Sequence, residues 1–114
     1  MPDIDTITRS DFAVLTDLFR IHAEERPDTI ALADEGSSLT WRMFDDHIDR
    51  AAAHFHHLGA GPGKVIALLG HNSLDYAIAY AGVIRAGAAA ALLPNSATAE
   101  TLDLMIRDSG ALCV

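Results

Sequence analysis

The spacing of apolar positions changes several times along the chain, and each change marks an element. Over residues 11–26, Val14, Leu15, Leu18, Phe19 and His22 recur at steps of three and four, which predicts a helix with one apolar face. Ser10 or Asp11 can accept from its first free amides, and Pro27 stops it, because the residue before a proline is driven out of the helical region. Ile30-Ala31-Leu32-Ala33 then reads as a short strand, Glu35-Gly36-Ser37-Ser38 as a turn, and Ser38-Leu39-Thr40 as a second strand. The pair predicts a small hairpin.

Thr40 is the expected N-cap of a longer helix ending at Leu58, with Phe44, Ile48, Ala51, Ala52, Phe55 and Leu58 as its apolar stripe. Gly59 suits the left-handed residue that closes a helix. After the turn Gly61-Pro62-Gly63, the run Val65-Ile66-Ala67-Leu68-Leu69 has no alternation, so it predicts a strand covered on both faces. Asn72 or Ser73 caps a third helix over residues 74–86, with Gly87 as its stop. Its only charges are Asp75 and Arg85, so most of its circumference calls for cover.

Residues 88–93 predict the next strand and Pro94-Asn95-Ser96 its exit loop. A helix capped by Thr98 then runs to Ser109, Gly110 stops it, and Ala111-Leu112-Cys113-Val114 is a final strand. The alternation of strands and helices predicts an α/β fold: a partial parallel sheet with right-handed crossover helices, preceded by a helix and a small hairpin. Residues 1–10 read as a tail and 11–114 as one incomplete domain. The chain stops inside an expected strand, and three parallel strands make a small sheet.

Composition narrows the functional classes. In 114 residues, 50% are hydrophobic and 21% charged, which is the range of a folded globular chain. Sixteen acidic against eight basic residues give a formal charge of −8, a poor match to nucleic acid or anionic lipid. The longest apolar region, residues 77–93, is broken by Arg85 and is shorter than the roughly 20 residues a membrane helix needs. One cysteine, Cys113, cannot form an internal disulfide, and the acidic N-terminus has no signal-peptide pattern; a cytoplasmic location is expected.

Two clusters invite specific chemistry and do not support it. Gly59-Ala60-Gly61-Pro62-Gly63 follows a helix and precedes a strand, whereas a dinucleotide fingerprint follows a strand and opens a helix. His47, Arg50, His54 and His57 share one helix row, but Arg50 sits among the imidazoles and no further ligand completes a metal set. Ligands of open parallel sheets gather beyond the carboxyl ends of the strands. Those ends carry Gly70-His71-Asn72-Ser73 and Pro94-Asn95-Ser96. His71, Asn72 and Ser73 are therefore the candidate substrate-binding residues; no residue is assigned as catalytic or metal-binding.

The succession of short motifs adds a resemblance. Arg26-Pro27-Asp28, Leu39-Thr40-Trp41, His57-Leu58-Gly59 and Gly63-Lys64-Val65-Ile66-Ala67-Leu68-Leu69 occur in order. Asn72-Ser73, Val83-Ile84-Arg85-Ala86-Gly87-Ala88 and Asp108-Ser109-Gly110-Ala111 follow. Over residues 13–114 this resembles the N-terminal end of the adenylate-forming enzymes: acyl- and aryl-CoA ligases, luciferases and peptide-synthetase adenylation domains. Asn72-Ser73, and the lack of the Tyr-Pro usual after Thr98 in peptide synthetases, make it more like a CoA ligase.

The resemblance implies a parent that joins a carboxylate to ATP, releasing pyrophosphate, and passes the acyl group to a thiol. ATP, Mg and CoA are expected for that full-length parent and none is expected to be held by these 114 residues. The family's Ser/Thr/Gly-rich phosphate loop and catalytic lysine do not occur here, and Lys64 matches neither family lysine. The expected partner is the remainder of the parent, or a second copy at the open sheet edge. An adenylation domain of the peptide-synthetase type is the alternative, as is a short non-catalytic interaction module or split-enzyme subunit. Three residues depart from the family: Met43 stands in place of a capping glutamate, His71 in place of a proline, and Pro94-Asn95 reverses the usual order.

Overall fold

Pro27 follows the first described helix, and Gly59, Gly87 and Gly110 follow the other three. In the computed structural model, which describes residues 15–111, the order is α1 (Leu15–Glu25), β1 (Ile30–Asp34), β2 (Ser37–Thr40), α2 (Trp41–His57), β3 (Val65–Leu68), α3 (Leu74–Arg85), β4 (Ala89–Leu92) and α4 (Ala99–Ser109). These elements form two compact units, residues 1–47 and 48–114.

In the first unit, β1 and β2 pair antiparallel around the two-residue loop Glu35-Gly36, where Gly36 takes φ +80°. The register places Asp34 opposite Ser37 and Leu32 opposite Leu39, and shifts between Ile30 and Leu32, a bulge at Ala31. The expected second strand thus begins one residue early. Trp41 donates its backbone amide to the Thr29 carbonyl at 3.0 Å, which joins the start of α2 to the hairpin. The rings of Phe19 and Phe44 lie 5.3 Å apart and those of His22 and Trp41 4.7 Å apart, forming an aromatic cluster.

The expected apolar face of α1 is partly corrected. Thr16 and Ile21 are its buried residues, while Leu15 is 45% exposed. Hydropathy identifies a face only where the neighbouring elements lie along it. Here the surroundings of α1 bury a small hydroxyl residue and leave a leucine outside. Val14 and the expected start of the helix lie outside the described residues.

In the second unit, β3 and β4 pair in parallel, Val65 with Ala89 through Leu68 with Leu92. Ile66, Ala67 and Leu68 are all buried, as expected for a strand covered on both faces. β4 behaves differently: Ala89 and Leu92 are exposed, while Ala90 and Ala91 are half-buried. The core joins Ile66 and Leu68 of β3 to Val83 of α3, with Ala60 and Ala88 closing its end. The expected final strand falls almost wholly outside the described residues.

Both long helices close in the same way. Ala60 donates to Phe55 O at 3.0 Å and Gly59 to His56 O at 2.9 Å; Ala88 donates to Val83 O and Gly87 to Ile84 O at 3.2 and 3.0 Å. In each, a glycine with positive φ, Gly59 at 102° or Gly87 at 86°, turns the chain so that two orphan carbonyls are satisfied. That chemistry accounts for Gly59, the first glycine of the cluster at 59–63.

Candidate functional site

A short loop, residues 69–73, leads from the carboxyl end of β3 into the first turn of α3. Ser73 has extended backbone, and its hydroxyl oxygen accepts from the Tyr76 amide at 3.1 Å, so Ser73 and not Asn72 is the N-cap. The chain between Leu68 and Ser73 forms one wall of a cleft of about 250 Å³. Its lining includes His71, Ser73, Asp75 and Tyr76, with Leu68 and Ala79 as apolar surface.

Two of the three expected site residues, His71 and Ser73, therefore line one cleft, and Asn72 is not part of its lining. Asp75 and Tyr76 are additional. A readable signal was available for both: they fall two and three residues after the cap, in the helical turn that faces a strand-end crevice. Gly70 approaches the Tyr76 ring so closely that a Cβ there would stand 3.3 Å from Tyr76 Cδ2.

The second strand-end loop closes onto the first. Asn95 donates its side-chain amide to the Gly70 carbonyl at 2.7 Å, and the same nitrogen lies 3.4 Å from His71 Nδ1. The reversed Pro94-Asn95 order thus places an amide across the two loops. Downstream, Thr98 caps α4 by accepting from Thr101 N at 3.2 Å, and Gly110 ends it with φ +70°.

The alternative centres do not assemble. His54, His56 and His57 are exposed, and no group of three or more His, Cys, Asp or Glu among the described residues is placed to hold a metal ion. Among the described residues no helix is long and apolar enough to cross a membrane. The cleft offers hydrogen-bonding groups and an aromatic wall.

Comparison with known proteins gives this geometry its setting. The model of the AMP-binding enzyme family matches residues 19–114. Surfactin synthase subunit 3 of Bacillus subtilis (strain 168) is 34% identical over 100 residues, which are 88% of this chain and 8% of that protein. Nonribosomal peptide synthetase 5 of Gibberella zeae is 34% identical over 98 residues, 86% of this chain and 1% of that protein. The crystal structure of the N-terminal domain of FACL13 from Mycobacterium tuberculosis superimposes with a TM-score of 0.83 at 22% identity, covering 88% of this chain and 26% of that one. The chain thus spans a small part of the length of the relatives it matches. It belongs to the AMP-binding enzyme family and carries the N-terminal part of the adenylate-forming fold.

Proposed function

We propose that this chain is the N-terminal segment of an adenylation domain of the peptide-synthetase type. The observation that carries the reading is the 34% identity to surfactin synthase subunit 3 over 88% of the chain. Plipastatin synthase subunits A and C, also at 34%, support it. The likeness to a Mycobacterium tuberculosis fatty acyl CoA synthetase, at 23% identity, bears on the fold alone. The Asn72-Ser73 resemblance to CoA ligases carries less weight than it does in the sequence. That resemblance turns on Asn72, a single residue, against 34% identity over 88% of the chain.

In this reading the carboxylate oxygen of an amino acid attacks the α-phosphorus of ATP, and pyrophosphate leaves. A carrier-bound thiol then attacks the acyl carbon, and AMP leaves. Mg accompanies ATP in this chemistry, but the described residues offer no cluster to hold it. The segment's own contribution is positional: β3, β4 and their tied exit loops form a rigid edge on which the parent's reactants are aligned. A cytoplasmic site of action accompanies this reading.

The test is ATP–pyrophosphate exchange by the full-length parent across a panel of amino, fatty and aryl acids, followed by acyl transfer to a carrier protein or to free CoA. Exchange driven by an amino acid, with transfer to the carrier, is expected. Exchange driven only by fatty or aryl acids, with a CoA thioester as product, would replace this reading by the CoA-ligase one.

A further inference from the structure

We propose that Asn95 is a positioning residue that sets His71 as a hydrogen-bond donor at the cleft, and that the cleft takes a neutral carbonyl-bearing group. The tautomer follows from one amide nitrogen. A carbonyl oxygen accepts only, so the 2.7 Å contact with Gly70 O makes the Asn95 atom there the NH₂ group. Its second hydrogen is then available to His71 Nδ1 at 3.4 Å, and a nitrogen that receives a hydrogen cannot itself carry one in that direction. In the neutral ring the proton therefore sits on Nε2, and His71 is a lining residue of the cleft.

The other polar groups define what that donor meets. Ser73 spends its hydroxyl oxygen as acceptor for the Tyr76 amide and keeps its hydrogen. The Asp75 carboxylate lies in the same lining. Donors from His71 and Ser73 favour an acceptor, and the negative charge of the exposed Asp75 disfavours an anion. A neutral carbonyl against the Tyr76 ring satisfies both conditions. This assignment rests on the cleft geometry within the segment and deepens the adenylation-domain reading by adding a contact residue outside its phosphate chemistry.

The experiment is nitrogen-15 NMR of the full 114-residue chain with labelled histidine, His71 being assigned by His71→Gln. His71 is expected in the Nε2–H form, Asn95→Asp is expected to invert the tautomer, because a carboxylate accepts from Nδ1–H, and acetamide is expected to shift the Nε2 resonance. An Nδ1–H ring in the unmodified chain would overturn the proposal without use of any variant. A correct tautomer with no response of Nε2 to acetamide would overturn the carbonyl assignment. Neither result depends on the acid activated by the parent, so a failure here is distinct from a failure of the exchange assay.

Discussion

A Cβ placed on Gly82 of α3 would stand 2.6 Å from the Cβ of Ala51 on α2. No pair of carbon atoms is accommodated at that distance, and Ala51 C and Ala52 N lie 3.3 Å from the same point. The two helices approach until backbone meets a methyl group, and only glycine allows it. Gly82→Ala is therefore expected to destabilise the chain by about 1–3 kcal/mol, despite alanine's better helix propensity. Urea unfolding checks this; an unchanged or raised midpoint would show that the helices can part without cost.

Arg85 and Asp49 form a second link between the same helices, at 3.1 Å. The Arg85 side chain is only 12% exposed, so its aliphatic stem is packed as well as its charge paired. Arg85→Ala should cost about 1–2 kcal/mol, more than an exposed ion pair is worth, because packing is lost with the charge. Arg85→Met, which keeps much of the stem, should recover part of that loss in the same denaturation assay.

Ser73→Ala removes the side-chain acceptor of the Tyr76 amide. The expected loss is about 1 kcal/mol, with faster amide exchange in the first turn of α3. Ser73→Asp supplies another capping oxygen and should restore the protection. Asn72→Ala should leave it unchanged, since Asn72 is not the cap.

Leu69, just past the end of β3, and Leu92, the last residue of β4, are 45% and 54% exposed. The isolated chain is expected to bind a hydrophobic dye and to self-associate as its concentration rises. Leu92→Lys should lower dye fluorescence with little change in unfolding midpoint, as an exposed leucine contributes little to the core. Sedimentation at several concentrations reads the association directly.

Much of the fold was legible because it is written in local chemistry. Pro27, Gly59, Gly87 and Gly110 mark helix ends through backbone restrictions that need no tertiary partner. Thr40 and Thr98 act as caps where the sequence places them; with Met43 in place of glutamate, Thr40 still accepts from the Met43 amide at 3.2 Å. The unbroken apolar run at β3 is likewise a local signal of burial on two faces. The cleft was half legible: the rule that ligands gather at strand ends points to His71 and Ser73, but it cannot say that Asn72 turns out of the lining.

Periodicity, capping and turn residues act over a few positions, so the order of the described helices and strands could be read from the sequence, and the ordered motifs pointed to the family. The tertiary structure alone decided which face of α1 is buried, why residue 82 must be glycine, and that Asn95 reaches the carbonyl of Gly70. Those relationships join residues far apart in the chain or depend on what packs nearby. Their distances arise only when the parallel strands and their crossover helix have packed.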